Sequence, residues 1–357
     1  MTVKKRNSNY EFLRILAMIL ITLNHITTKG LSLNPEVGSG ANNALALLYT
    51  CGGKFGCILF LLISAWFLSD REINWKQILS VWFQTFVYYL LFNVIGMAVN
   101  HSFTKAGVLR SFFPLLFSNY WYSRCYIILL LCFPFLMKAF RLIPFKKTLL
   151  FAGAGFMLLP VLFPSGGHGA VLDLLCKICR QPIVAFFYYS VLLCYIKNHV
   201  PYRKLPFGAY MALFLLLFAA MWALTVRDFY RAGSFFRWRD IYSPFSYLSA
   251  FCLFLGVSVL PASYHGSVNF LAKLCFGIYL FQCHAQIKPI LWNAVFPFET
   301  WFGMPLWSFL PRTLLAGFAI LLIGAFISLL YEYVLGRPVT DLLSKIGAAK
   351  DRAAKEA

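Results

Sequence analysis

The 357-residue chain is 61% hydrophobic and only 12% charged, against about 45–50% and about 25% in ordinary soluble domains, which excludes a soluble globular fold. Its 32 Lys and Arg against 12 Asp and Glu give a formal net charge of +20; in so apolar a chain this marks cytoplasmic loops and contact with anionic lipid headgroups, not nucleic-acid binding. A spanning helix needs about 20 apolar residues, so the expected fold is all-α integral membrane: about ten transmembrane helices around a central polar cavity, with no soluble domain.

Apolar runs fall at 12–28, 44–69, 78–99, 121–141, 148–164, 182–197, 207–226, 242–261, 268–291 and 310–335. Lys4, Lys5 and Arg6 before the first run resemble the start of a signal peptide. That run carries Arg14 and His25 and lacks a small-residue cleavage site, so it is expected to stay as the first span. An even number of spans puts both termini on one side. The more basic loops, with Lys4, Lys5, Arg6, Arg71, Lys76, Lys138, Arg141, Lys146, Lys147, Lys197, Arg203 and Lys204, make that side cytoplasmic. Residues 227–240 break the pattern with Arg227, Arg231, Arg237 and Arg239 beside Asp228 and Asp240, which predicts an ion-paired, structured segment or an acceptor-facing surface. The transmembrane domain is expected over 1–336, and 337–357 reads as a basic amphipathic tail on the cytoplasmic surface. No internal repeat of the transporter kind is present. The cysteines sit mostly inside apolar runs as small hydrophobes, and the Cys176/Cys179 pair has no second pair or His cluster, so no metal site is expected.

Ionisable residues inside a span cost several kcal/mol unless they are paired or face a polar cavity. The first run holds Glu11, Arg14 and His25. At about 100° per residue, the step from Arg14 to His25 returns to within about 20° and rises about 16 Å, with Glu11 about 40° from His25. Leu13, Ile15, Leu16, Ile19, Leu20 and Leu23 cover much of the remaining surface, while Met18 and Ile21 share the ionisable face. Such a face suits a long anionic donor: an Arg at the boundary holds phosphate and a deeper imidazole acts as general base for a hydroxyl. Acyl-coenzyme A has that shape. The alternative is that Arg14 snorkels to headgroups and His25 bonds a neighbouring helix.

The stretch Asn7-Ser-Asn-Tyr-Glu-Phe-Leu-Arg14, ten residues and His25 resembles the first helix of the acyltransferase-3 family of membrane acyltransferases. The likeness continues in order through Leu61-Leu-Ile-Ser-Ala-Trp-Phe-Leu68, Ile78-Leu-Ser-Val-Trp-Phe-Gln84, Tyr120-Trp-Tyr-Ser-Arg-Cys-Tyr126 with Phe133-Pro-Phe135, and Phe276-Gly-Ile-Tyr-Leu-Phe281. The resemblance implies transfer of an acetyl or other short acyl group from cytosolic acyl-CoA to a hydroxyl of an exported polysaccharide or glycolipid. It further implies a bacterial plasma membrane location, His25 as catalytic residue, Arg14 as its donor-side partner and Glu11 as support for Arg14. The family's usual His after the last block is Gln282 here, with His284 two positions later, and the Gly of its Ser-Gly pair is Ala65. Its Arg-rich pattern before the third helix is reduced to Arg71 and Lys76, the remaining candidates for phosphate contact.

Trp121, Tyr122, Arg124 and Tyr126 form a set suited to a sugar or the acyl group, or equally to an interfacial aromatic belt with one anchoring Arg. Tyr279 and Gln282 are further substrate-binding candidates. Lys54, among Gly52, Gly53 and Gly56, is a cation at a site of close helix packing. His284 and Lys288, one turn apart, fit a cavity or a lipid interface, while His101, His168, His199 and His265 fall in loops. The expected partners are acyl-CoA, a glycan or lipid-linked glycan acceptor and membrane lipids, with no nucleic acid and no permanently bound cofactor. A carrier or flippase for an anionic or lipid-linked solute is the competing reading, since its binding site would use the same intramembrane charges.

Overall fold

A computed structural model describes residues 6–36, 38–69, 71–142, 153, 155, 157, 177, 178 and 180–345, the side chains of 139–142 excepted. Among these residues there are helices and no strand. The expected span at 148–164 (apart from 153, 155 and 157), the Cys176/Cys179 pair, His168, the loop lysines at 4, 5, 146 and 147, and the tail beyond 345 lie outside them.

Helix α1 (Ser8–Gly30) starts at Asn7, whose side chain accepts from the Asn9 N–H, and carries Glu11 in its first turn and Lys29 in its last, as the helix dipole favours. Helix α2 (Gly40–Leu68) packs antiparallel to it. The backbones close up because Gly52, Gly53 and Gly56 face α1: a Cβ on Gly53 would collide with the Asn24 side chain. Helix α3 (Trp75–Val99) runs back toward the distal end, the end where α1 finishes. The 100–120 segment, between the expected spans at 78–99 and 121–141, contains the short helices α4 (Lys105–Ser111) and α5 (Pro114–Phe117) and folds back along α3, with the Phe112 ring 6.0 Å from Phe86. Helix α6 (Trp121–Leu142) therefore starts beside the middle of α3, where Tyr120 meets Tyr89 (6.1 Å) and Ser123 bonds Thr85 (2.7 Å). Helix α7 (Pro182–His199) begins at a similar depth, Phe186 lying 5.1 Å from Tyr122, and ends at the proximal end, where Lys197 donates to Ser69 Oγ.

Helix α8 (Phe207–Ala232) climbs to the distal end and α9 (Pro244–Ser258) returns. Helix α10 (Gly266–Cys283) runs parallel to α1: Ser8 bonds Asn269 at one end (3.0 Å) and Thr22 bonds Gln282 near the other (3.2 Å). The 268–291 run, expected as one span, breaks at His284. The following helix α11 (Ile287–Val295) turns through 87° and leads to α12 (Phe298–Phe302) across the distal end. Pro289 offers no N–H to the Ala285 carbonyl and its ring crowds that carbonyl, so a straight helix through 284–289 is disfavoured. Helix α13 (Leu306–Lys345) descends antiparallel to α1 and continues through a π turn at Glu332–Gly336 into the tail region. Both described chain ends thus lie at the proximal end of the bundle.

Among the described residues six helices are long and apolar enough to cross a membrane, or up to seven if α10 and α11 count as one bent span. Of the other expected spans in this range, α9 has only 15 residues and α7 closes on Lys197, Asn198 and His199.

Candidate functional site

The ionisable face of α1 turns inward. Glu11 is buried and its carboxylate bridges two guanidiniums, Arg14 at 3.2 Å and Arg6 at 3.6 Å. Arg14 is about a quarter exposed, so its charge sits at the edge of the bundle, half-paired and reachable. Met18 and Ile21 are buried on the way to His25.

At His25 the site closes around the end of α10. The imidazole Nε2 lies 3.9 Å from Cys283 Sγ, and Trp292 of α11 packs edge-on at 5.8 Å. The other ring nitrogen, Nδ1, is buried and has no hydrogen-bond partner among the described residues. Lys29, one turn beyond His25, reaches the Gln282 carbonyl (3.5 Å), Cys283 Sγ (3.7 Å) and the Trp292 face (5.7 Å). The charged groups that act on the His25 ring are Lys29, Lys288 and Lys54, all of one sign.

The aromatic candidates form the adjoining wall. Tyr279 packs against Tyr120 (6.1 Å), Tyr122 (5.8 Å) and Phe276 (6.1 Å), and its buried O–H proton has no acceptor among the described residues. Trp121 lies under the Lys54 ammonium at 4.0 Å, a cation–π contact that accounts for a lysine amid the glycines of α2. Tyr126 stacks on Tyr122 and accepts from Gln77. Four candidates are committed to packing or stand apart. Arg124 donates to the Ser118 carbonyl (3.2 Å) and anchors the start of α6. Gln282 turns its amide to α1, accepting from Thr22 and donating to Met18 Sδ (3.2 Å) and lying close to His25, so it clamps the two parallel helices beside the imidazole. Arg71 and Lys76 are exposed near the proximal end and join neither Arg14 nor Glu11 in an ion pair.

His284 turns away from His25 into a cage of Tyr89, Phe92 and Tyr120, with ring centroids 5.4–6.0 Å apart. The 227–240 segment is indeed ion-paired: Arg227 and Trp238 both donate to Asp228, and Arg237 stacks on Trp238 at 4.7 Å. From it Arg239 dips into the distal end, donating to Asn24 Oδ1 (3.4 Å) and stacking on Phe235 and Phe236. Burial pushes its guanidinium down to about 10, so it still carries its charge at neutral pH. Sequence reasoning passed over Lys29, although its four-residue spacing from His25 puts it on the same face. It also missed Cys283 and Trp292, whose neighbours are distant in sequence, and it placed Arg239 in the 227–240 segment without its contact to Asn24.

These helices define a multi-pass membrane protein with an ionisable site running along the inside of its first helix. The acyltransferase-3 family model, an acyltransferase domain, matches residues 7–331, and the chain belongs to that family of membrane acyltransferases. No curated protein and no solved structure matches it at a significant level.

Proposed function

We propose that this acyltransferase moves an acetyl or other short acyl group from cytosolic acyl-CoA to a hydroxyl of an exported polysaccharide or glycolipid. The observation that carries this reading is the His25 imidazole: one nitrogen is turned to the end of α10, and the other is buried with no hydrogen bond of ordinary geometry among the described residues. A buried nitrogen of this kind is suited to a substrate proton.

The donor enters at the proximal end, where Arg14, steadied by Glu11, binds its phosphates through charge-assisted hydrogen bonds. The roughly 16 Å from Arg14 to His25 along the helix is spanned by the pantetheine arm, which brings the thioester to the imidazole. His25 takes the proton of the acceptor hydroxyl as its oxygen attacks the acyl carbon. The oxyanion then develops in the field of Lys29, Lys54 and Lys288, three cations that stabilise it without rearrangement. The cytoplasm is the proximal side in this scheme, with both termini there, in a bacterial plasma membrane.

Membranes containing the chain, incubated with radiolabelled acetyl-CoA and a membrane fraction bearing the surface glycan, should place label on the glycan. Cells lacking an active gene should lose that acetyl from their surface glycan. Solute movement without acyl transfer would instead establish a carrier and end this reading.

A further inference from the structure

We propose that Cys283 carries the acyl group as a covalent thioester between donor and acceptor. This adds a step to the acyltransferase reading above and rests on it.

Cys283 is the last residue of α10 before the chain turns away at His284. Its sulfur touches the His25 imidazole at 3.9 Å and the Lys29 ammonium at 3.7 Å. A base to take the thiol proton and a cation beside the resulting thiolate are the groups that make a cysteine nucleophilic. Cys275, two turns earlier on the same helix, faces instead the carbonyls of Arg14 and Leu271 at 3.8 Å, an inert packing environment. Cys283 also keeps more exposed surface than Cys51, Cys57 and Cys275.

An independent observation points to a ligand at this sulfur. Tyr279 lies one turn before Cys283 on α10, is 7% exposed, and is close enough to feel the charge of that sulfur. Its oxygen lies beside the Ser123 backbone N–H at the start of α6, while the O–H proton has no acceptor among the described residues. An uncommitted O–H beside a nucleophile is placed to donate to the oxygen of an acyl group held there.

The cycle balances on the two nitrogens of His25. Nε2 accepts the Cys283 proton, the thiolate attacks the acyl carbon of acyl-CoA, and the coenzyme A thiolate leaves with the proton of Nδ1. The product is a Cys283 thioester, formed at the expense of one thioester bond and therefore close to neutral in energy. In the second half Nδ1 accepts the acceptor's hydroxyl proton, its oxygen attacks the thioester, and the departing Cys283 sulfur recovers its proton from Nε2. Both nitrogens are used, in keeping with one facing Cys283 and the other having no hydrogen-bond partner among the described residues. The donor leaves before the acceptor binds.

The full-length protein in detergent should be incubated with radiolabelled acetyl-CoA alone, quenched in acid and digested. Label is expected on the peptide containing Cys283, removable by neutral hydroxylamine and by added glycan-bearing membranes. Cys283→Ala should lose the label and slow glycan acetylation by more than about a hundredfold. The location of label on the unaltered chain decides the matter even where that variant misfolds. A wild-type protein that acetylates glycan without ever becoming labelled, or a Cys283→Ala variant that transfers at the normal rate, would overturn the thioester and leave the acyltransferase reading intact. Label on neither chain nor glycan would overturn both.

Discussion

Replacing His25 by alanine separates a catalytic imidazole from a structural one, because the ring's contacts bound what the fold loses. Among the described residues its partners are an edge-on Trp292, a thiol at 3.9 Å and the Gln282 side chain. An aromatic pair contributes about 0.5–1.5 kcal/mol beyond area burial, and the thiol contact adds little. Removing a buried nitrogen that has no hydrogen-bond partner among the described residues offsets part of that loss. The variant should therefore lose under about 2 kcal/mol of stability, a shift of a few degrees in melting temperature at this size. A general base contributes about 10²–10⁴-fold to rate, or about 3–5 kcal/mol of transition-state stabilisation. Detergent-extracted protein should be compared by size-exclusion profile and melting curve, and the same preparations by transfer of radiolabelled acetyl to glycan. A well-folded His25→Ala variant retaining more than about a tenth of the transfer rate would refute the general-base role. A variant that fails to fold would show that the ring carries more of the packing than its contacts indicate.

Glu11→Gln removes the carboxylate that bridges Arg6 and Arg14, and Arg14→Ala removes the donor-side cation. At about 1.5–3 kcal/mol per charge-assisted contact, each should raise the KM for acyl-CoA by about tenfold or more while kcat falls less, as read from initial rates at varied donor. Tyr120→Phe deletes a 2.8 Å bond to the Leu280 carbonyl, just ahead of the α10 break. It should cost about 1–3 kcal/mol in thermal unfolding and lower kcat through misplacement of the Cys283 end; an unchanged melting curve would show that this bond does not hold α10. Gly53→Ala forces a Cβ against Asn24, the neighbour of His25. An overpacking cost of about 1–3 kcal/mol and a clear loss of transfer are expected, and wild-type behaviour in both assays would show that α1 and α2 are free to separate.

The inward face of α1 was legible because helical geometry is local: the Arg14 to His25 step and the placement of Glu11 follow from the residue count alone, and the Glu11–Arg14 pair forms as that count implies. Membrane character followed from hydropathy, which senses composition over a window and is blind to direction. For that reason the 268–291 run looked like a single span, although Pro289 disfavours a straight path near His284. The same blindness hid the return of 100–120 along α3. Gln282 and Arg124 were suitable side chains in suitable places, but their polar atoms are used by Thr22, Met18 and the Ser118 carbonyl, partners that only tertiary packing reveals. Cys283 was counted among the apolar cysteines because nothing within its own segment distinguishes it. Its His and Lys neighbours come from the other end of the sequence.

The transverse segment after His284 has a consequence for the energetics of the membrane itself. Trp292 and Phe298 stack across the end of α1, and the Phe298 ring fits there because Gly30 has no side chain to obstruct it. An enzyme that draws a water-soluble donor deep into the bilayer risks opening a hydrated wire between two compartments, through which each escaping charge would dissipate about 2.3 kcal/mol per 100 mV. In the acyl-transfer scheme proposed above, the Trp292–Phe298 stack over Gly30 would be the barrier to such a wire along α1.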